Sequence, residues 1–413
     1  MADKNLPIET NSLIELANKL ETPFHLYDEK GIRENIRVFK EAFSWVKDFK
    51  NYFAVKALPN PAIIKIMKEE GFGADCSSLP ELIMTEKVGL KGENVMFTSN
   101  DTPDEEFIAA AKMGAVINLD DITHIEALDR SAGIPNLISF RYNPGPDRTG
   151  NVIIGNPVEA KYGLTTEQLV PAYIKAKELG ATRFALHTMV ASNELDRSYI
   201  VETARMLFEQ AIRIYKEAKI KIEFVNLGGG IGIPYKPEEK AIDLKLLGEE
   251  IKELYEKMII GNNLDPLNIV FECGRMISGP YGYLVSKVLH VTKKYKNFVG
   301  LDASMANLMR PALYGSYHHI TVLGKENENK DHLYDVTGSL CENNDKFAID
   351  RKLPKVEADD IFVIHDTGAH GHAMGFNYNG KLRSAEYLLK EDGSVEMIRR
   401  AETIEDYFAT LNF

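Results

Sequence analysis

Between Asn51 and Arg275, short β-branched or aromatic runs alternate with stretches of helical periodicity, and each run ends in polar residues or glycine. Eight such runs occur: Tyr52 to Lys56, Gly73 to Cys76, Asn94 to Thr98, Ala115 to Leu119, Leu137 to Tyr142, Arg183 to Met189, Glu223 to Leu227 and Ile269 to Glu272. Eight βα repeats predict a closed parallel (β/α)8 barrel of the TIM type. The intervening helices carry start signals. Ser78-Leu79-Pro80-Glu81 reads as an N-cap followed by proline and a carboxylate, and Thr102-Pro103-Asp104-Glu105 repeats it. From Ala204 to Tyr215, the residues Ala204, Leu207, Phe208, Ala211, Ile214 and Tyr215 share one face, as in an outer-ring helix packed on a barrel.

Beyond Arg275 the pattern changes to strands and turns, with runs at Tyr283 to Thr292, His319 to Leu323, Tyr334 to Gly338 and Asp360 to Ile364. These predict an antiparallel β domain, a sandwich or barrel. The opening run Thr22-Pro23-Phe24-His25-Leu26-Tyr27 is also strand-like, and we expect it to pair with that sheet. The expected organisation is α/β: a barrel over 30–277, which binds the ligand, and a β domain over 1–29 and 278–413 that completes the site.

A chain of 413 residues with 44% hydrophobic content can bury a large core plus a second unit. Its formal net charge of -12, with no lysine- and arginine-rich block, argues against a nucleic-acid partner and favours a small-molecule role. The start Met1-Ala2-Asp3-Lys4-Asn5 is polar, and no apolar run suits a secretory leader or a membrane span, so a cytoplasmic protein without a membrane partner is expected. The three cysteines, Cys76, Cys273 and Cys341, are odd in number and far apart, which implies neither a disulfide framework nor a zinc site.

The candidate chemistry sits at the run ends, where such barrels build their sites. Lys56 closes an apolar run directly before the turn-forming Leu58-Pro59-Asn60-Pro61, and a lysine at a buried rim is poised for imine formation. Phe224-Val225-Asn226-Leu227 leads into Gly228-Gly229-Gly230-Ile231-Gly232, whose bare backbone N–H groups could cradle a phosphate. A strand-end lysine more often packs its stem and hydrates its ammonium, and glycine clusters are first of all turn formers. Together they point to a phosphorylated aldehyde held by a lysine, which is pyridoxal phosphate. The other run ends are equally polar: Asp75-Cys76-Ser77-Ser78, Arg141-Tyr142-Asn143, His187 to Ser192 and Glu272-Cys273-Gly274-Arg275.

These motifs, with Arg310-Pro311-Ala312-Leu313-Tyr314, Gly338-Ser339-Leu340-Cys341-Glu342 and Asp366-Thr367-Gly368-Ala369, resemble the alanine-racemase-fold amino acid decarboxylases along nearly the whole chain. The resemblance is strongest to the branch that decarboxylates meso-diaminopimelate to lysine. It implies that Lys56 forms the imine with pyridoxal 5'-phosphate and that Glu272 holds the pyridine nitrogen. It further implies cofactor contacts from Asp75, His187, Ser192, Gly229, Gly230, Gly274, Arg275 and His370. Arg275, Arg310, Tyr314 and Glu342 would bind an amino acid substrate, and Cys341 would donate the proton that replaces the lost carboxylate. By the same resemblance the enzyme is a homodimer with shared active sites.

The chain departs from that pattern at two positions. Met189 stands where the family usually has a histidine stacked on the cofactor ring, and His370 stands where a tyrosine is common. A thioether can pack on an aromatic ring, and His187 lies two residues earlier on the same face. His365, His370 and His372 invite a metal reading, but no carboxylate or thiol set accompanies them, so no metal is expected; His318 and His319 are expected to serve packing or an interface. Other readings are a decarboxylase of ornithine, lysine, arginine or a carboxylated polyamine, an amino acid racemase, or an inactive cofactor-binding homologue. Racemases of this fold resemble one another in placing arginine at the pyridine nitrogen, so Glu272 argues against that class.

Overall fold

The computed structural model describes residues 4–150 and 153–413; the polar start Met1 to Asp3 lies outside them. Two compact units result, one of the described residues through Arg33 with Pro234–Lys240 and Ser278–Phe413, the other of Glu34–Ile233 and Ala241–Ile277. In chain order the strands are β1 (Phe24–Asp28), β2 (Lys50–Ala54), β3 (Gly73–Cys76), β4 (Val95–Phe97), β5 (Val116–Leu119), β6 (Leu137–Tyr142), β7 (Arg183–Thr188), β8 (Phe224–Asn226) and β9 (Asn268–Phe271). They continue as β10 (Gly282–Lys293), β11 (Asn297–Leu301), β12 (Ile320–Val322), β13 (His332–Thr337), β14 (Lys346–Leu353), β15 (Ile361–Ile364), β16 (Ala385–Leu389) and β17 (Val395–Arg399).

In the second unit β2 to β9 form a closed barrel, every neighbouring pair parallel and β9 returning to β2. The (β/α)8 barrel read from the eight runs is therefore present. Its interior begins with an apolar layer of Tyr52, Met96, Val116, Leu137, Ala185, Phe224 and Val270. Gly73 belongs to that layer because a β-carbon there would lie 2.6 Å from the Tyr52 ring. Outside, the helix Arg197–Ala218 buries Ile200, Ala204, Leu207, Phe208, Ala211 and Ile214, started by Asp196 accepting the Ser198 N–H at 2.8 Å. Tyr215, expected on that inner face, is 39% exposed, because it falls at the edge of the apolar arc in the last turn. The cap expected at Ser78 takes another form. Its side chain makes no cap bond, and the Glu81 carboxylate accepts the Ser77 N–H at 2.6 Å instead.

In the first unit the strand order is β14-β13-β11-β10-β1-β16-β17, with β15 also pairing β10 and β12. β1 lies between β10 and β16, so the opening run does join the later sheet. Most pairs are antiparallel as expected, but β1 with β16 and β11 with β13 are parallel, so the sheet is mixed. β10 separates two cores by strand alternation: Leu284 packs with Val299, Phe362 and Ile364, while Val285 packs with Phe24, Leu26 and Val363.

A buried polar group ties β1 to β16 and β17. Tyr27 donates to Glu386 Oε1 at 2.6 Å, Arg399 pairs with the same carboxylate, and the His25 and His372 rings meet edge-on at 5.6 Å. Burial pushes His25 down to about 3 and His372 down to about 4, whereas Glu386, despite burial, is drawn to about 2 by His372 and Arg399. Both effects act in the same direction. The unfolded chain binds more protons than the fold between about pH 6.5 and pH 3 at the imidazoles, and between about pH 4.5 and pH 2 at Glu386. This unit's stability should thus be fully present near pH 7 and fall as the pH drops through 6 to 4. A melting temperature that stayed flat over that range would contradict this assignment.

Candidate active site

Side chains alternate across a strand, so the residue two positions beyond an inward apolar one also faces inward. Val116 is followed in this sense by Asn118, Ala185 by His187, Phe224 by Asn226 and Val270 by Glu272. A polar layer therefore sits on the apolar one, toward the C-terminal ends of the strands. Its members bond to one another. Asn226 Nδ2 donates to Glu272 Oε1 at 2.7 Å, and the Asn118 amide donates to His187 Nδ1 at 2.9 Å. With Nδ1 accepting, the ring proton sits on Nε2, which lies 3.0 Å from Glu272 Oε2. There the ring N–H turns its positive end toward the carboxylate, off the geometry of an aligned hydrogen bond.

Two buried carboxylates at this layer are driven apart. Burial raises Asp75, the Glu272 charge raises it further, and its Oδ1 has no partner. Burial also pushes Glu272 up, but His187, Lys56 and Arg141 outweigh it and hold its carboxyl below the usual range. Burial and the Glu272 charge thus favour the protonated form of Asp75, while the neighbouring cationic groups favour the ionised form of Glu272, the division expected when like charges share a low-dielectric site. Arg141 supports the layer from β6, 3.4 Å from Asp120 and 4.7 Å from the centre of the Tyr162 ring.

Lys56 is exposed between the buried Val55 and Ala57. It stands on a single 3-10 turn, Val55–Ala57, because β2 ends two residues earlier than the apolar run suggests. The turn rotates the amine out of the strand's pleat. Its charge acts on Asp75, Glu81 and Glu272 without a hydrogen bond to any described residue.

The glycine run after β8 is shaped by its neighbours. A β-carbon on Gly229 would come within 2.8 Å of the Glu272 carbonyl, and Gly230 adopts φ +95°, a conformation that favours glycine. The Gly229 N–H faces the Met189 sulfur at 3.4 Å, so the residue replacing the family's histidine lies against the glycine turn. Gly274 packs so closely that a β-carbon would meet Ala57 at 2.7 Å. Arg275 follows, its Nη2 3.5 Å from Ser192 Oγ. Backbone N–H groups, a guanidinium and a hydroxyl gathered in one place form a cradle for an oxyanion.

A family model described as "Pyridoxal-dependent decarboxylase, pyridoxal binding domain" matches residues 29–279. The chain belongs to the pyridoxal-dependent decarboxylases. Among its relatives, "Protein TabA" of Pseudomonas amygdali pv. tabaci is 43% identical over 96% of this chain and 92% of its own. The diaminopimelate decarboxylase of Methanothermobacter thermautotrophicus is 34% identical over 95% and 92%. A crystal structure of diaminopimelate decarboxylase from M. jannaschii in complex with L-lysine superposes with a TM-score of 0.90, at 32% identity over 97% and 94% of the two chains.

Other residues read from the sequence lie in this decarboxylase's β-sheet unit. Arg310 is 1% exposed, with Nη1 2.9 Å from His318 Nε2 and its guanidinium carbon 4.5 Å from the centre of the Tyr235 ring. His318 in turn donates through Nδ1 to the His365 carbonyl at 2.8 Å, and His365 Nε2 meets Thr321 Oγ1 at 2.9 Å, so these histidines pack and orient. Tyr314 and Cys341 are exposed; the Cys341 N–H donates to Asn379 Oδ1 at 2.8 Å, and Glu342 accepts the Asn344 N–H at 3.0 Å. His370 holds a left-handed backbone at φ +56°. Asn118 and Asn226, which hold His187 and Glu272, were given no role by sequence. Their signal was an amide at an inward position of an otherwise apolar strand.

Proposed function

We propose that this decarboxylase removes one carboxylate of meso-diaminopimelate as carbon dioxide and leaves L-lysine. The observation that carries the reading is Glu272, whose carboxyl is held below the usual range in part by the charge of the exposed Lys56, in a chain with a relative solved with L-lysine. The donors present suit pyridoxal phosphate: a held negative charge for the ring nitrogen, a crowded glycine turn for the phosphate, and a solvent-facing amine for the aldehyde. When bound, the cofactor supplies an aldehyde for amines and a ring that draws off the electrons of the broken carbon–carbon bond.

The chain's own groups then divide the work. Glu272, steadied by Asn226 and His187, keeps a proton on the ring nitrogen, which makes electron withdrawal stronger. Gly229, Gly230, Gly274, Arg275 and Ser192 hold the phosphate, and Asp75 and His370 complete the cofactor contacts. Lys56 would hold the aldehyde end of the cofactor through its amine. Arg310, Tyr314 and Glu342 hold the distal carboxylate and amine, with Arg275 available to both ligands; a guanidinium suits a carboxylate because it can bind both oxygens. Cys341 gives its proton to the carbon that lost carbon dioxide, which balances the reaction. We further propose the unit boundaries 30–277 for cofactor binding against 1–29 and 278–413, a homodimer with shared sites, and a cytoplasmic location.

Purified holoenzyme supplied with meso-diaminopimelate should form lysine and carbon dioxide in equal amounts. L-Ornithine, L-lysine and L-arginine should be turned over far more slowly, and faster release from any of them would replace the substrate assignment. Cys341→Ala should lower turnover about a hundredfold, the scale of one proton-transfer group, without altering cofactor absorbance. Unchanged turnover in that variant would remove Cys341 from the step.

A further inference from the structure

The β-sheet unit carries a second concave site, of about 310 Å³, lined by His372, Arg383, Ser384, Arg399 and Arg400 with Glu402 and Asp406 at its wall. That volume lies at the lower end of small-ligand pockets. Its guanidiniums are not equally matched. Arg399 pairs with Glu386, and Arg400 makes a fork with Asp406, one arm at 2.9 Å. Glu402 spends Oε2 on the Arg383 backbone N–H at 2.8 Å and on Asn377 Nδ2 at 2.6 Å.

Arg383 itself has no side-chain ion pair with a carboxylate among the described residues. Its Nη2 donates to His372 Nδ1 at 2.8 Å and to the His372 carbonyl at 2.5 Å, and its Nε is buried without a partner. Burial and the nearby Arg399 press its pKa below the ordinary value, as happens to a cation short of negative charge. His372 cannot supply that charge, because its Nε2 faces the Ser384 carbonyl at 3.0 Å and the ring is neutral near pH 7. Beside Arg383, Ser384 is 5% exposed and its Oγ is also without a partner. The residues that carry this buried hydroxyl and this buried guanidinium N–H, both unsatisfied, line one cavity, and such groups cost stability until something accepts from them.

We propose that this cavity is a second binding site, separate from the cofactor's, for a small oxyanion held by the Arg383 guanidinium and the Ser384 hydroxyl. An inorganic phosphate and the carboxylate of a small organic acid share this chemistry. The Glu402 and Asp406 carboxylates at the wall limit the site to an anion small enough to stay on the Arg383 side.

Holoenzyme, with its cofactor cradle filled, is titrated calorimetrically with inorganic phosphate and separately with succinate, chloride being adjusted to hold ionic strength constant. One saturable event per chain is expected. Saturation by phosphate names phosphate as the source, and saturation by succinate alone names a carboxylate. Arg383→Gln should weaken the event about ten- to a hundredfold, the scale of a hydrogen bond to a charged group. Ser384→Ala should weaken it a few-fold and carries the test alone if Arg383→Gln fails to fold. No saturation by either anion, or equal affinity in both variants, overturns the proposal.

Discussion

Lys56→Ala should abolish turnover of diaminopimelate, by at least about a thousandfold, while the protein keeps its fold. The two halves of this expectation have separate causes. The side chain is exposed and makes no hydrogen bond to any described residue, so its removal takes away little packing and should move the melting temperature hardly at all. Its amine is nevertheless the group that meets the cofactor aldehyde, so the visible absorbance band of protein-bonded cofactor should vanish with it. Asp75 and Glu272 would also lose a neighbouring positive charge, and both carboxyls should become harder to ionise. A variant that kept a tenth of the wild-type rate would remove Lys56 from the chemistry, whatever its spectrum. Retained turnover together with a retained band would move the cofactor to another lysine.

The barrel was legible because its strands and helices repeat with local periods, 2 and 3.6, that hydrophobic side chains display directly. The polar end of Ala185 to His187, or of Val270 to Glu272, could be read the same way. What could not be read is who faces whom. Asn118 meets His187, 69 positions away, and Asn226 meets Glu272, 46 away, only because the closed parallel register brings β5, β7, β8 and the end of β9 to one level. The mixed sheet shows the limit more sharply. Phe24 pairs in parallel with Ala385, and nothing local to either segment encodes that direction. Backbone detail was lost as well: Val55 and Lys56 continue an apolar, strand-like run, yet the chain leaves the ladder at Ala54. The charge division between Asp75 and Glu272 follows from partners alone, since both are buried acids at strand ends.

That division leads to the second large effect. Glu272→Gln should lower kcat about a hundred- to a thousandfold with a much smaller change in KM, the scale of one preorganised electrostatic contact. The neutral amide can still accept from Asn226, but its own N–H must then face His187 Nε2–H, donor against donor. Turning the histidine to its other tautomer would also require the Asn118 amide, which donates to Nδ1, to turn over. The loss is therefore one of charge and of hydrogen-bond order together. Glu272→Asp keeps the charge while drawing it back by one methylene, and should fall between. His187→Ala separates the two contributions through pH. His187 is the largest of the influences that hold Glu272 ionised against burial, so removing it raises the Glu272 pKa. Activity that needs the ionised form is lost below that pKa, and the acid limb of kcat/KM should move to higher pH, with turnover at the alkaline plateau less affected. An acid limb that stayed in place would mean that Glu272 keeps its charge without the imidazole, leaving His187 a packing residue.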